Sequence, residues 1–401
     1  AVHRTIAALA SSITLALGAV VAPASPAHAA AAPEEPAIQV LDYDLGDAAF
    51  TVRGFHALTP RGMPAKRLAP LELTGRAYVP ADASGTELPM VVIAHGLFWS
   101  CADEATGEIT GDWPCRAPLS GIRSDRGYDH LGRMLAERGI LAVSVGANGV
   151  NAGELGEVAD RARAVVVFRH LRMWRSLVTD GSGPLAGALT DAQTGDPVAP
   201  DLVGAVDLRD VGLLGHSRGG RGVMWAAADA HRAMVPDGVR LRAVFGMAAA
   251  EPPFMDHATR RLTVTEVPVM TWMGSCDATG RDEYNRLARR GGNRVNLSVM
   301  VHGANHNNLN SRWAASSGLP GGEDDASHPK HRPGKCFTDD GSLDDTLGSA
   351  DEQEVAATYV EAFFARYLQG DRGFDDVLSG DRLPVRQLAQ VDVRRYWPGK
   401  G

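Results

Sequence analysis

Short apolar runs alternate with stretches of helical periodicity along most of the chain. Leu71 to Val79 alternates apolar and polar positions, the pattern of an antiparallel strand with one covered face, and Pro80 ends it. Met90 to Ala94 is continuously apolar, as is Ile140 to Val145, and such runs belong to strands buried on both faces. Between them Tyr128 to Arg138 sets Leu131, Met134 and Leu135 on one helical face and stops at Gly139. Glu157 to Val178 reads as a long helix and Thr179 to Pro200 as a Gly/Pro/Asp/Thr loop. Strand Val211 to Leu214, helix Gly219 to His231, and strands Leu241 to Met247, Val267 to Met273 and Val295 to Val301 follow. An amphipathic helix, Asp351 to Leu368, is the last clear element. This alternation predicts an α/β protein with a mostly parallel central sheet and helices on both faces. With no internal repeat and no change of composition, residues 37–401 read as a single domain.

The N-terminal residues are patterned differently. Arg4 precedes an apolar stretch, Ile6 to Ala22, which is followed by Pro23, Pro26 and Ala27-His28-Ala29. A basic start, an apolar middle and a small-x-small site describe a secretory signal peptide over residues 1–29, joined to the domain by a linker at 30–36. At about 17 Ala-rich residues the stretch is short for a spanning helix. The expectation is a secreted, extracellular monomer with no membrane anchor after cleavage. In an oxidising compartment Cys101, Cys115, Cys276 and Cys336 read as two disulfides, for which three pairings exist. Cys101 and Cys115 share one loop and are natural local partners, leaving Cys276 for Cys336.

Apolar residues at 44% and charged residues at 22% are the balance of a soluble globular protein and exclude a disordered, collagen-like or polytopic membrane chain. A net charge of −8 argues against a nucleic-acid partner.

The chemistry concentrates at Gly215-His216-Ser217-Arg218-Gly219. A Gly-x-Ser-x-Gly pattern is weak alone, but here it follows an apolar run and opens a helix, the strand–turn–helix setting of a nucleophile elbow. Ser217 then needs a base, and the base an orienting acid. Asp277 directly follows the strand 267–273 and is the expected acid, with Glu251 and Asp256 after the preceding strand as alternatives. His306, beyond the Gly303-Ala-Asn turn, is the expected base, and His302 at the strand end is read as structural. His216 is expected to pack under the elbow. Backbone N–H groups of Arg218 and Leu97, the latter after the strand ending His95-Gly96, are the expected oxyanion donors.

These residues resemble the α/β-hydrolase superfamily, nearest the secreted actinobacterial esterases that include cutinase-like and polyester hydrolases and relatives of platelet-activating-factor acetylhydrolase. The resemblance rests on His95-Gly96 after a strand, Gly-His-Ser-Arg-Gly-Gly at 215–220, Asp277 after a strand, and Gly303-Ala-Asn-His306, and it covers roughly Leu71 to Asn310. It implies the α/β-hydrolase fold and a Ser217–His306–Asp277 triad acting on a carboxylic ester, whether small molecule, lipid or polyester, without cofactor or metal. Insertions near 98–127, 179–204 and 307–350 depart from the compact polyester hydrolases and are placed to roof the cleft. Arg221 also departs, and an ion pair is its expected role.

Phe98, Trp99 and Trp313 are the expected walls of a substrate cleft. His328-Pro-Lys-His331, after Glu323-Asp324-Asp325, is read as a charged loop rather than a metal site. Two rivals stay open beside the ester hydrolase. One is a serine peptidase or amidase on the same fold; the other is a non-catalytic binding protein, which the intact Ser, His and acid disfavour.

Overall fold

The continuous apolar runs become the interior strands of one ten-stranded sheet. The computed structural model describes residues 38–251, 262–277, 283–319, 334–338 and 341–396; the expected signal peptide and linker, Asp256 and the 323–331 cluster lie outside them. The strands are β1 (Gln39–Asp44), β2 (Thr74–Val79), β3 (Leu88–Ala94), β4 (Leu141–Val145), β5 (Thr190–Asp191), β6 (Val206–His216), β7 (Leu241–Met247), β8 (Val269–Gly274), β9 (Asn296–Val301) and β10 (Val391–Arg395). Their spatial order is β5-β1-β2-β4-β3-β6-β7-β8-β9-β10. From β4 to β9 in that order every pair is parallel. Antiparallel pairs flank this parallel block on both sides.

The longer helices are α1 (Asp129–Glu137), α2 (Glu157–Asp180), α3 (Arg218–Ala227), α4 (Glu283–Arg290) and α5 (Ser349–Leu368). The period of two along β3 divides the core between the two faces. Met90, Val92 and Ala94 join a cluster with Phe168, Leu171 and Trp174 of α2 and Val223 and Met224 of α3. Val91 and Ile93 join the other, with Leu131 and Leu135 of α1 and Tyr359 and Phe363 of α5. Each large apolar side chain so covered contributes about 1.5–3 kcal/mol. The expected mixed architecture, with a mostly parallel sheet and helices on both faces, is therefore present.

Three local features differ from the sequence reading. The Gly219–His231 helix stops at Ala227, because Ala228 turns to an extended conformation (φ −61°, ψ 141°) and a separate short turn follows at Asp229–Met234. The 179–204 insertion carries β5, which lies on the outer edge of the sheet with four strands between it and β6, so that strand does not roof Ser217. The 98–127 insertion folds into a small three-stranded sheet of Cys101–Asp103, Glu108–Thr110 and Ser120–Gly121. Arg221 does make the expected ion pair. Its Nη2 lies 2.8 Å from Asp160 Oδ2, joining α3 to α2 with both side chains buried.

The two disulfides are Cys101–Cys115 and Cys276–Cys336. They fit an oxidising environment. The second ties the hairpin formed by Lys335–Phe337 and Leu343–Asp345 to the loop after β8.

The closed loops are 14 and 60 residues long, for which chain-entropy accounting gives about 3 and about 4 kcal/mol. Replacing both members of a pair with Ser is expected to lower Tm more for Cys276/Cys336 than for Cys101/Cys115 in scanning calorimetry. The reverse ranking would show that strain or residual structure, not loop closure, sets their contribution.

Candidate active site

β6 delivers Ser217 onto a tight turn before α3. Its backbone sits at φ 58°, ψ −125°, in the left-handed region that a serine occupies at a cost of about 1–3 kcal/mol. The surroundings enforce it. The Ser217 N–H donates to the Met247 carbonyl at 3.0 Å, and its own carbonyl accepts from the Ala250 N–H at 3.1 Å. Both flanking glycines are steric requirements: a Cβ on Gly215 would strike the Gly219 backbone, and one on Gly219 would strike the carbonyls of Ala94 and His95. Gly96 faces the nucleophile in the same way, since a Cβ there would lie 2.8 Å from Ser217 Oγ. The end of β3 therefore touches the elbow.

The loops after β8 and β9 also touch. The Cys276 N–H donates to the Ala304 carbonyl at 2.9 Å, and that carbonyl passes where a Cβ on Gly274 would stand. Across this contact His306 Nδ1 donates to Asp277 Oδ2 at 3.0 Å. The Asp277 side chain is 0% exposed and that of His306 9%. With the proton on Nδ1, Nε2 of His306 is left as an acceptor. His302 points elsewhere, with Nε2 2.9 Å from Asp392 and Nδ1 3.4 Å from Asp344. The structure thus pairs the expected base with the expected acid and gives His302 carboxylate partners away from the elbow.

His216, next to Ser217, reaches the loop that carries His306. Its Nδ1 accepts from the Tyr128 hydroxyl at 2.9 Å, and its Nε2 donates to the His306 carbonyl at 3.0 Å. Burial, and then the neighbouring His306, push the His216 pKa well below the ordinary imidazole value, so the ring stays neutral. The rings of His306, His216, Trp313 and Phe98 form a continuous file with centroid spacings of 4.9, 4.8 and 5.2 Å. Trp313 corrects an expectation. It is fully buried, its Nε1 donates to Ser124 Oγ at 2.9 Å, and it is a spacer inside this file rather than a cleft wall. Phe98 is half-buried at the outer end of the file, while Leu97 and Trp99 beside it are 39% and 43% exposed.

The segment that follows β3 is held by a fully buried His95. The Ala147 N–H donates to its Nε2 at 2.8 Å, which leaves the proton on Nδ1 to donate to the Gly96 carbonyl at 2.9 Å. That carbonyl is thereby committed, and the N–H of Leu97 on the same peptide donates to no group among the described residues. Arg218 opens α3, where the first N–H groups have no partner inside the helix. The arrangement offers a hydroxyl on a strained turn, an imidazole oriented by a buried carboxylate, and two backbone donors beside the hydroxyl. Such a set can form and break an acyl bond.

Several supporting residues escaped the sequence reading. Glu352, fully buried in the first turn of α5, accepts from the Asn305 N–H at 3.0 Å and so anchors the residue before His306. Glu72 accepts from the backbone N–H groups of Asn148 and Gly149, and burial pushes its carboxyl up to about 7 against those hydrogen bonds. A lone acid in an otherwise covered run, as in Leu71-Glu-Leu73, was the available signal for Glu72. Tyr128 carried none, because its partner is 88 positions away.

A scan against protein-family models and a search among curated proteins each return no match.

The buried titratable groups make the fold sensitive to acid. Burial holds His95 at about 4 and His170, which is bonded to the Tyr43 hydroxyl, at about 3; His216 lies well below its ordinary value too. Burial holds His130 at about 4 as well, so unfolding between about pH 5.5 and 6.5 takes up on average about three protons on these four histidines and releases about one from Glu72. A net uptake of about two protons lowers stability by about 3 kcal/mol for each unit of falling pH. Urea titrations at about pH 6.5 and 5.5 are expected to show this loss, and equal stability at the two would contradict it.

Proposed function

We propose that this chain is a serine carboxylic-ester hydrolase of the α/β-hydrolase type that works through an acyl-enzyme. The observation that carries the reading is the meeting of three loops at one end of the parallel strands. These are a left-handed Ser217 between β6 and α3, Asp277 after β8, and His306 after β9 with Nδ1 bonded to that acid.

In this reading Ser217 Oγ attacks the ester carbonyl while His306 Nε2 takes its proton. Asp277 keeps the imidazole in the required tautomer and stabilises the imidazolium that forms. The N–H groups of Leu97 and Arg218 receive the developing oxyanion, each donor being worth about 3 kcal/mol in the transition state. Protonated His306 then gives its proton to the departing alkoxide, which leaves Ser217 acylated. Finally the same nitrogen takes a proton from water as the water attacks the acyl carbonyl, and returns it to Ser217 Oγ as the acyl–Oγ bond breaks and the carboxylic acid leaves. No cofactor enters this sequence. Export to the extracellular space belongs to the same proposal, supported by the two disulfides and the apolar N-terminal segment.

A fluorophosphonate probe is expected to label the protein at Ser217 and to leave Ser217→Ala unlabelled. His306→Ala should lose several orders of magnitude in kcat and Asp277→Asn about 10⁴-fold, while His302→Ala stays active. Labelling at another serine, or an inactive His302→Ala beside an active His306→Ala, would overturn the site. Parallel assays on p-nitrophenyl esters and peptide anilides test the reaction: faster anilide cleavage would replace the esterase by an amidase.

A further inference from the structure

The chain that follows β3 reaches Ser217 with no room to spare, since a Cβ on Gly96 would lie 2.8 Å from its Oγ. One turn, Asn148–Asn151 after β4, holds that chain from the side. Three hydrogen bonds join the two. The Ala147 N–H donates to His95 Nε2 at 2.8 Å, the Ser100 hydroxyl to the Asn148 carbonyl at 3.2 Å, and Asn151 Nδ2 to the Phe98 carbonyl at 3.5 Å. They fall at residues 95, 98 and 100 and so bracket the Leu97 peptide.

The turn rests on Glu72, which lies two residues before β2 and is 1% exposed. One carboxyl oxygen accepts from the Asn148 N–H and the other from the Gly149 N–H, the latter at 2.8 Å. The fit is close: a Cβ on Gly149 would stand 3.0 Å from Oε2, and one on Gly146 3.3 Å from Oε1. Among the described residues every hydrogen-bond partner of this carboxyl is a backbone N–H, a setting made for the ionised form, which is acceptor-only. Burial pushes the carboxyl up to about 7, with its backbone N–H bonds opposing the shift and Asp125, before α1, adding to it. The other titratable groups around it are His95, Arg123 and Arg163. Burial holds His95 at about 4 and Arg163 at about 9. Against its own burial, Asp125 is held below the usual carboxylate range by Arg123. Between pH 5.5 and 8 the member of this set that changes charge is therefore Glu72.

We propose that ionised Glu72 is a positioning residue for the Leu97 oxyanion donor, fixing the turn after β4 and, through it, the chain that passes Ser217. This rests on the ester-hydrolase reading above. Glu72 touches no reacting atom. Its protonation puts a hydrogen where the turn presents N–H groups, which loosens the turn and the Leu97 peptide together.

Glu72→Gln keeps the shape and removes the charge. On p-nitrophenyl hexanoate at pH 8 it should lower kcat by about 30-fold, the scale of a misplaced rather than a deleted donor, with KM within about twofold. At pH 5.5 the native carboxyl is itself protonated, so the ratio of kcat values should shrink to about twofold. An equal ratio at the two pH values, which a merely structural role would give, overturns the proposal, as does a change confined to KM. Hydrogen exchange followed by mass spectrometry tests the positioning without substrate. At pH 8 Glu72→Gln should speed exchange about tenfold in peptides covering 147–152 and 100–102, the size of one lost charge-assisted bond, and leave 297–301 of β9 unchanged. Lowering the pH of the unmutated protein from 8 to 5.5 should do the same once the intrinsic pH dependence of exchange is removed, which serves if the variant does not fold. Exchange that rises in neither segment, or in 147–152 alone, overturns the proposal. Should the unmutated protein hydrolyse no ester, the esterase reading fails, and the exchange rates still decide whether Glu72 positions the chain after β3.

Discussion

A serine held at φ 58° is the constraint around which the site is organised. The conformation is unfavourable by itself, so neighbours must leave the chain no alternative. They do this by proximity, with Gly215 against Gly219, Gly219 against the end of β3, and Gly96 against Ser217 itself. Every one of these contacts requires a missing side chain. The same close approach brings Gly96, and with it the start of the Leu97 peptide, against Ser217, so strain at Ser217 and the course of the chain after β3 are one structural fact.

The surrounding support is polar, buried and drawn from distant parts of the chain. His216 bonds Tyr128 from the turn before α1 and the backbone of His306 after β9. Glu352 reaches the same loop from α5. Asp160 and Arg221 lock α2 to α3 behind the elbow. Removing one partner from such a pair leaves an unsatisfied buried group, at a cost of about 3–5 kcal/mol when that group is charged. The neutral state of His216 suits its place: an imidazolium 4.9 Å from His306 would oppose the charge that His306 takes on in the proposed mechanism.

The sequence made the interior legible and the periphery obscure, for physical reasons. β3, β4 and β7 are covered on both faces and so are written as apolar runs. β1 (Gln-Val-Leu-Asp-Tyr-Asp) and β10 (Val-Asp-Val-Arg-Arg) lie outside the parallel block, are partly exposed and carry charge, which hides them among loops. α4 (Glu-Tyr-Asn-Arg-Leu-Ala-Arg-Arg) has too few apolar positions to announce a buried face. For the site, chain order was enough to nominate Ser217, Asp277 and His306, since each follows a readable strand. It was not enough for Trp313, because an aromatic near a catalytic loop reads the same whether it faces solvent or fills the interior. Nor was it enough for Glu352 or Tyr128, whose roles depend on partners that only folding brings near.

The antiparallel strand β10 has a consequence for how the protein is made. β10 pairs along the whole length of β9, from Leu297 opposite Arg395 to Val301 opposite Val391. Everything between Val301 and Val391 must therefore be synthesised before that edge is covered, on the order of ten seconds of ribosome time. During that interval the segment that carries His306 borders an open, apolar strand, a template for pairing with other chains. A nascent protein of this topology gains from a factor that keeps it extended until its last strand has emerged. Arg394 and Arg395, on the covering strand itself, then give the finished edge a charge that discourages further addition.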